Sequence, residues 1–137
     1  DNPMSVFTEA ELEYMGGDRP PGDKGARRLA RLATVGKDGT PHVVPVGFSY
    51  NADHDSIDIR GYTMFESKKY RDVRRSGRAA IVVDDLASID PWRPRGIEVR
   101  GRAEAVGGDR PLIRIHPERI VPWGLEHESG ARSVNGA

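Results

Sequence analysis

RLATVGKDGTPHVVPVGFSY, residues 31–50, is two apolar runs of period two around a short polar turn. Leu29, Arg31, Ala33 and Val35 alternate with Ala30, Leu32 and Thr34. Both faces are largely apolar, which predicts a mostly buried strand. Lys37-Asp38-Gly39-Thr40 predicts a hairpin turn, with Asp-Gly supplying the positive φ values. The return strand is expected over about 42–50. One of its faces carries His42, Val44, Val46, Phe48 and Tyr50, the other Val43, Pro45, Gly47 and Ser49.

Working outward, the same hairpin logic repeats. A turn at 51–55 leads to a strand over 57–61. Residues 66–76 are helical in pattern, and 79–83 is an unbroken apolar run that reads as a central strand. Ile97, Val99, Gly101, Ala103 and Ala105 alternate strictly with Glu98, Arg100, Arg102 and Glu104, a strand with one wet face. Gly107-Gly108-Asp109 turns the chain into a last strand over 112–123. Towards the N-terminus, Thr8 and Glu11 form a capping box for a short helix that stops at Gly16-Gly17. The reading is mainly β: six antiparallel strands and two short helices, with turn signals at barrel spacing. It divides the chain into an N-terminal helix and flexible loop (1–25), a barrel (26–126) and a disordered polar tail (127–137).

The chain has 137 residues, enough for one domain with a modest buried fraction, so a partner subunit would help close its core. Lys+Arg and Asp+Glu are 21 each, and this zero net charge disfavours a nucleic-acid partner. There is no cysteine, which excludes disulfides and thiol chemistry and fits a reducing cytoplasm. No apolar run is long enough for a membrane helix, and no signal peptide is expected. Asp1-Asn2-Pro3 ahead of Met4 looks like an added remnant. His42, His54, His116 and His127 show no metal-ligand spacing, so no metal is expected.

Three segments carry chemistry. Ser67 is a natural N-cap that puts Lys68 and Lys69 in the first helical turn, where cations oppose the helix dipole. That arrangement suits a phosphate; it equally describes a solvated basic face balanced by Glu66 and Asp72. Lys68, Arg71 and Arg75 share one helical face, with Arg74 and Arg78 beside it, as a track for a longer anion would. The Val43-Pro45-Gly47-Ser49 face is small enough for a flat ring to lie on, or marks a crowded barrel corner. In Asp90-Pro91-Trp92-Arg93-Pro94-Arg95, Trp92 and the arginines suit a ring and an anion, or a subunit contact.

RLATVGKDGTPHVVPVGFSY, IDIRGYTMFESKKYRDVRRSGRAAIVVDD, PWRPRGIEVRGRAEAV and IRIHPERIVPWGLE, in that order across about 28–126, resemble the pyridoxamine-5'-phosphate-oxidase-like superfamily. Within it they are most similar to the branch that uses the deazaflavin coenzyme F420, near the dehydrotetracycline-reductase-like group. The resemblance implies a split β-barrel of the FMN-binding type and a cytoplasmic homodimer with cofactor sites at the subunit interface. It implies that Ser67, Lys68 and Lys69 clamp a phosphate, with Lys68 where the family has Arg. It also implies that Val43, Val44, Pro45, Val46 and Gly47 lie along the tricyclic ring. Arg60, Gly61 and Tyr62 would meet the ring and ribityl chain, and Trp92 and Arg95 would reach the cofactor, often from the second subunit. The expected activity is hydride transfer between F420 and a small organic acceptor such as a conjugated enone or imine. The alternatives are an FMN-binding oxidase, or a non-catalytic flavin- or haem-binding protein. No catalytic acid is evident, although Tyr62 is a candidate.

Overall fold

The computed structural model describes residues 4–16, 28–125 and 130–134. From residue 17 on, the loop expected over 16–25 lies outside the described residues, as does His127. Helix α1 (Glu9–Tyr14) begins at the expected capping box. The Glu11 amide donates to Thr8 Oγ1 at 3.1 Å and the Thr8 amide donates to Glu11 Oε1 at 2.8 Å. The remaining elements are β1 (Ala30–Val35), β2 (Pro41–Val46), β3 (Ser49–Asn51), β4 (Ser56–Ile59), α2 (Lys68–Ser76), β5 (Arg78–Ser88), β6 (Arg93–Val106), β7 (Leu112–Trp123) and β8 (Arg132–Ser133).

Every ladder is antiparallel, in the order β2-β1-β5-β6-β7-β4-β3, with β8 added to β7. The strands at the two ends of this order, β2 and β3, are consecutive in the chain and separated only by Gly47 and Phe48. So short a link spans less than ~10 Å, and the sheet has to roll until its edges meet. The result is a barrel split at that seam. Leu32, Ile57, Ile59, Ile81, Ile97, Ile113, Ile115 and Ile120 fill its interior, each under 3 % exposed. Phe7, Tyr14 and Met15 from the N-terminal segment join the same core.

Several details differ from the sequence reading. The expected 42–50 strand is two strands, since the backbone leaves the ladder at Gly47 and Phe48 to cross the seam. With β8 this makes eight strands among the described residues rather than six. β8 also places Arg132 and Ser133, read as part of a disordered tail, on β7. β1 is buried on one face only: Ala30, Leu32 and Thr34 point inward while Arg31 and Val35 are exposed. In the first hairpin only Gly39 has positive φ; Asp38 does not. The bulge between Arg100 and Gly101 explains Gly101 itself, because a Cβ there would lie 2.3 Å from the His116 carbonyl oxygen.

Candidate functional site

Ser67 caps α2, its Oγ accepting from the Tyr70 amide at 3.2 Å and donating to the Met64 carbonyl at 2.7 Å. The first turn holds no acid. Lys68 is exposed and Lys69 half-buried, and neither makes an ion pair among the described residues. The C-terminal half of the helix behaves differently from the sequence reading of a basic track. Arg71 Nη1 donates to the Glu66 carbonyl. Arg74 stacks over the rings of Phe65 and Tyr70, at 5.1 and 5.2 Å. Arg75 donates to the Val35 carbonyl and lies 3.6 Å from Asp72, and Arg78 pairs with Glu118 at 2.8 Å. Arg71, Arg74 and Arg75 are thus held by neighbouring groups, as is Arg78 on β5, whereas Lys68 and Lys69 make no ion pair among the described residues.

On β2 the 43–47 face divides as the alternation predicts. Val43 (69 % exposed), Pro45 and Gly47 face outward, Val46 is buried and Val44 packs partly into the core. A Cβ built on Gly47 would meet nothing within 4 Å, and one on Gly61 only the far end of Met64 at 3.8 Å. Neither glycine has positive φ. Packing inside this chain therefore demands neither glycine, and a crowded barrel corner does not account for them. Arg60, Gly61 and Tyr62 follow β4 and, with Phe65, Arg110 and Pro111, line a cavity of about 720 Å³ in which Tyr62 is fully exposed.

Trp92 sits at the exposed tip between β5 and β6, 67 % exposed beside Ile89. Arg95 is elsewhere. Its guanidinium grips Asp85, Nε to Oδ1 at 2.7 Å and Nη2 to Oδ2 at 3.0 Å, inside a cluster at the barrel end. The Tyr14 hydroxyl donates to Asp85 at 2.8 Å, and Arg28 lies 4.2 Å over the Tyr14 ring. The Arg95 hydrogen bond, helped by the Tyr14 hydroxyl and working against burial, holds the Asp85 carboxyl at about 2. Burial, reinforced by Asp85, pushes the Tyr14 phenol above its usual range. Within one chain, then, the expected site residues fall into distinct places: the β2 face, the start of α2, the cavity beside Tyr62, the hairpin tip and the barrel end.

One constellation was not read from the sequence. Asp72, 2 % exposed, accepts from Thr34 Oγ1 at 2.8 Å and is 2.8 Å from His42 Nδ1. The imidazole lines a groove of about 590 Å³ with Lys37, Asp38, Thr40 and Lys68. Alternation put His42 on the same face as Val44 and Val46. Nothing in the sequence indicates that a helix residue 30 positions later comes to meet it.

Comparison with known proteins agrees with this architecture. The family model described as pyridoxamine 5'-phosphate oxidase matches residues 24–132. The chain is 41 % identical over 129 residues to a 5a,11a-dehydrotetracycline/5a,11a-dehydrooxytetracycline reductase of Streptomyces rimosus, covering 88 % of this chain and 84 % of that one. Among solved structures, an F420 reductase superposes with a TM-score of 0.58 at 21 % identity, covering 83 % of this chain and 98 % of that one. An FAD-binding protein from Mesorhizobium loti gives 0.59 at 20 %, covering 83 % and 90 %. The family match over most of the length, on an antiparallel split barrel, makes this chain a member of the pyridoxamine 5'-phosphate oxidase family.

Proposed function

We propose that this chain is an oxidoreductase that binds coenzyme F420 and reduces a small conjugated acceptor, an enone or imine. Two features carry the reading: Lys68 and Lys69 at the capped start of α2, without an ion pair among the described residues, and an open strand face at Val43, Pro45 and Gly47. A tricycle with a phosphate-bearing chain would use both. Lys68 and Lys69 would hold the phosphate beside the Ser67 cap, and the glycines at 47 and 61 leave room for ring and ribityl chain. The reductase relative adds support for redox chemistry. Bound reduced deazaflavin supplies a hydride, and the protein supplies orientation and a dry face.

A second copy of the chain belongs to this reading. Leu29 just before β1, Val35 on β1 and Val43 on β2 are exposed apolar side chains, as are Ile89 and Trp92 at the hairpin tip. Covering both in a two-fold dimer would close the ring face and bring Trp92 towards it. Two measurements test the proposal. Oxidation of reduced F420, followed anaerobically with an enone acceptor, should depend on the protein. Light scattering at micromolar concentration should give twice the chain mass. No turnover with any enone or imine, or a monomer, would contradict the corresponding part.

A further inference from the structure

The groove between the 36–40 turn and the start of α2 holds Lys37, Lys68 and His42 against one carboxylate, Asp38, which itself accepts from the Thr40 amide at 3.0 Å. His42 is built into this groove rather than lying loosely on it. Its Nδ1 is fixed at 2.8 Å by a carboxylate that is 2 % exposed. Its ring edge fills the space beside Gly36, where a Cβ would lie 2.4 Å from Cε1. Asp72 also accepts from Thr34, and Arg75 stands 3.6 Å away. Hydrogen bonds from His42 and Thr34 outweigh burial and keep the Asp72 carboxyl below its ordinary range, so it has no proton to offer. Nδ1 must then be the donor to Asp72, and Nε2 is the ring nitrogen left for another partner.

We infer that this groove is an anion subsite for the charged tail of the bound cofactor, and that His42 is its proton-linked ligand. The inference rests on the cofactor reading above and extends it to the tail. An anionic oxygen, phosphodiester or carboxylate, entering between Lys37 and Lys68 meets a donor at Nε2 only when His42 is an imidazolium. Binding would therefore draw a proton onto Nε2 wherever the free ring lacks one there, while Asp72 keeps the ring in place. The charged groups facing the imidazole are Asp72, Arg75 and Lys68 from α2 and Lys37 and Asp38 from the turn; none of them replaces the Nε2 donor. The tail thus turns away across the hairpin, not along α2, where Arg71, Arg74 and Arg75 are already engaged.

The test uses the full chain, the wild type and two variants. His42→Asn keeps an amide donor at the Nδ1 position for Asp72 and deletes Nε2. Lys37→Ala changes a turn residue. F420 and FMN are titrated calorimetrically between pH 6 and 8 in buffers of different ionisation enthalpy. The wild type should take up protons on binding F420 and lose about tenfold in affinity as pH rises, the scale of one charge-assisted hydrogen bond. His42→Asn should bind with the weaker affinity at both pH values and without proton uptake, and Lys37→Ala should weaken binding across the range. A milder pH response with FMN than with F420 would assign the anion to the tail rather than to the first phosphate. In parallel, inorganic phosphate should shift the His42 Cε1–H resonance. A pH-independent wild type, or an unaltered pH response in His42→Asn, overturns the subsite. Failure of both cofactors to bind while phosphate still moves the His42 resonance overturns the cofactor reading and leaves the subsite standing.

Discussion

Arg95 and Asp85 face each other across the β5–β6 ladder and are joined by two hydrogen bonds, at 2.7 and 3.0 Å. This forked pairing commits the guanidinium inside its own chain, with Tyr14 and Arg28 completing the cluster. Arg95→Ala is therefore expected to lower the thermal midpoint and to leave cofactor affinity unchanged. Weaker cofactor binding at unchanged stability would instead put Arg95 at the ligand, as the family resemblance implies.

The same pair sets an acid limit. Asp85 is held at about 2 against an ordinary 3.8. A carboxyl depressed in the folded state adds stability above its unfolded value and loses it as pH falls towards the folded one. The wild-type contribution should thus persist above pH 3.8 and disappear on approach to about 2. In Arg95→Ala the carboxyl loses its main partner, so acid unfolding should begin at higher pH. Circular dichroism along an acid titration of the two proteins measures the difference; coincident curves would contradict the assignment.

Glu11 is fully buried and is gripped by Arg132, at 2.7 Å from Nη2 and 2.9 Å from Nη1. Arg132 Nη2 also donates to the Val6 carbonyl at 2.8 Å, so β8 ties the end of the described chain to α1. Arg132→Ala leaves that carboxylate without its partner, which should cost about 3–5 kcal/mol in urea unfolding. A loss below ~1 kcal/mol, the range of surface ion pairs, would show that the contact is dispensable.

Gly47→Val tests the ring face without disturbing the barrel. The added side chain meets open space and the backbone has no positive φ, so the melting temperature should hold. Cofactor affinity should fall, because the new methyl groups stand where the ring would lie. Equal affinity in variant and wild type would mean that nothing flat uses this face.

Lys69→Ala should weaken cofactor binding by roughly 1.5–3 kcal/mol, the worth of a charge-assisted hydrogen bond, at unchanged stability. Wild-type affinity should also fall with added salt. An unaltered dissociation constant would return the start of α2 to a solvated basic face.

Much of this molecule is legible in its sequence because hairpins and caps are local devices. Thr8 and Glu11, the turn around Gly39, the Ser67 cap and the strict alternation from Ile97 to Ala105 each announce themselves within a few residues. What stays hidden depends on register. Whether β1 is buried on one face or both is decided by what packs outside it, and its outward row of Leu29, Arg31, Ala33 and Val35 departs from a core row only at Arg31. The break at Gly47 and Phe48 follows from closing the barrel. The basic run on α2 is read correctly as a charge pattern but not as a set of contacts. Arg74 finds two aromatic rings, and Arg75 finds a carbonyl on β1, only once the helix is docked. The Asp72–His42 pair is invisible for the same reason.

The proposed site should prefer the deazaflavin with its long anionic tail to FMN, which a competitive equilibrium titration decides. Both cofactors compete for the wild-type protein in one buffer near pH 6.5, with binding read from their distinct absorption and fluorescence. F420 is expected to displace FMN, and Lys68→Ala and Lys69→Ala to weaken both. Tighter binding of FMN, accompanied by oxygen consumption when the bound flavin is reduced, would make the protein an oxidase of the same fold instead.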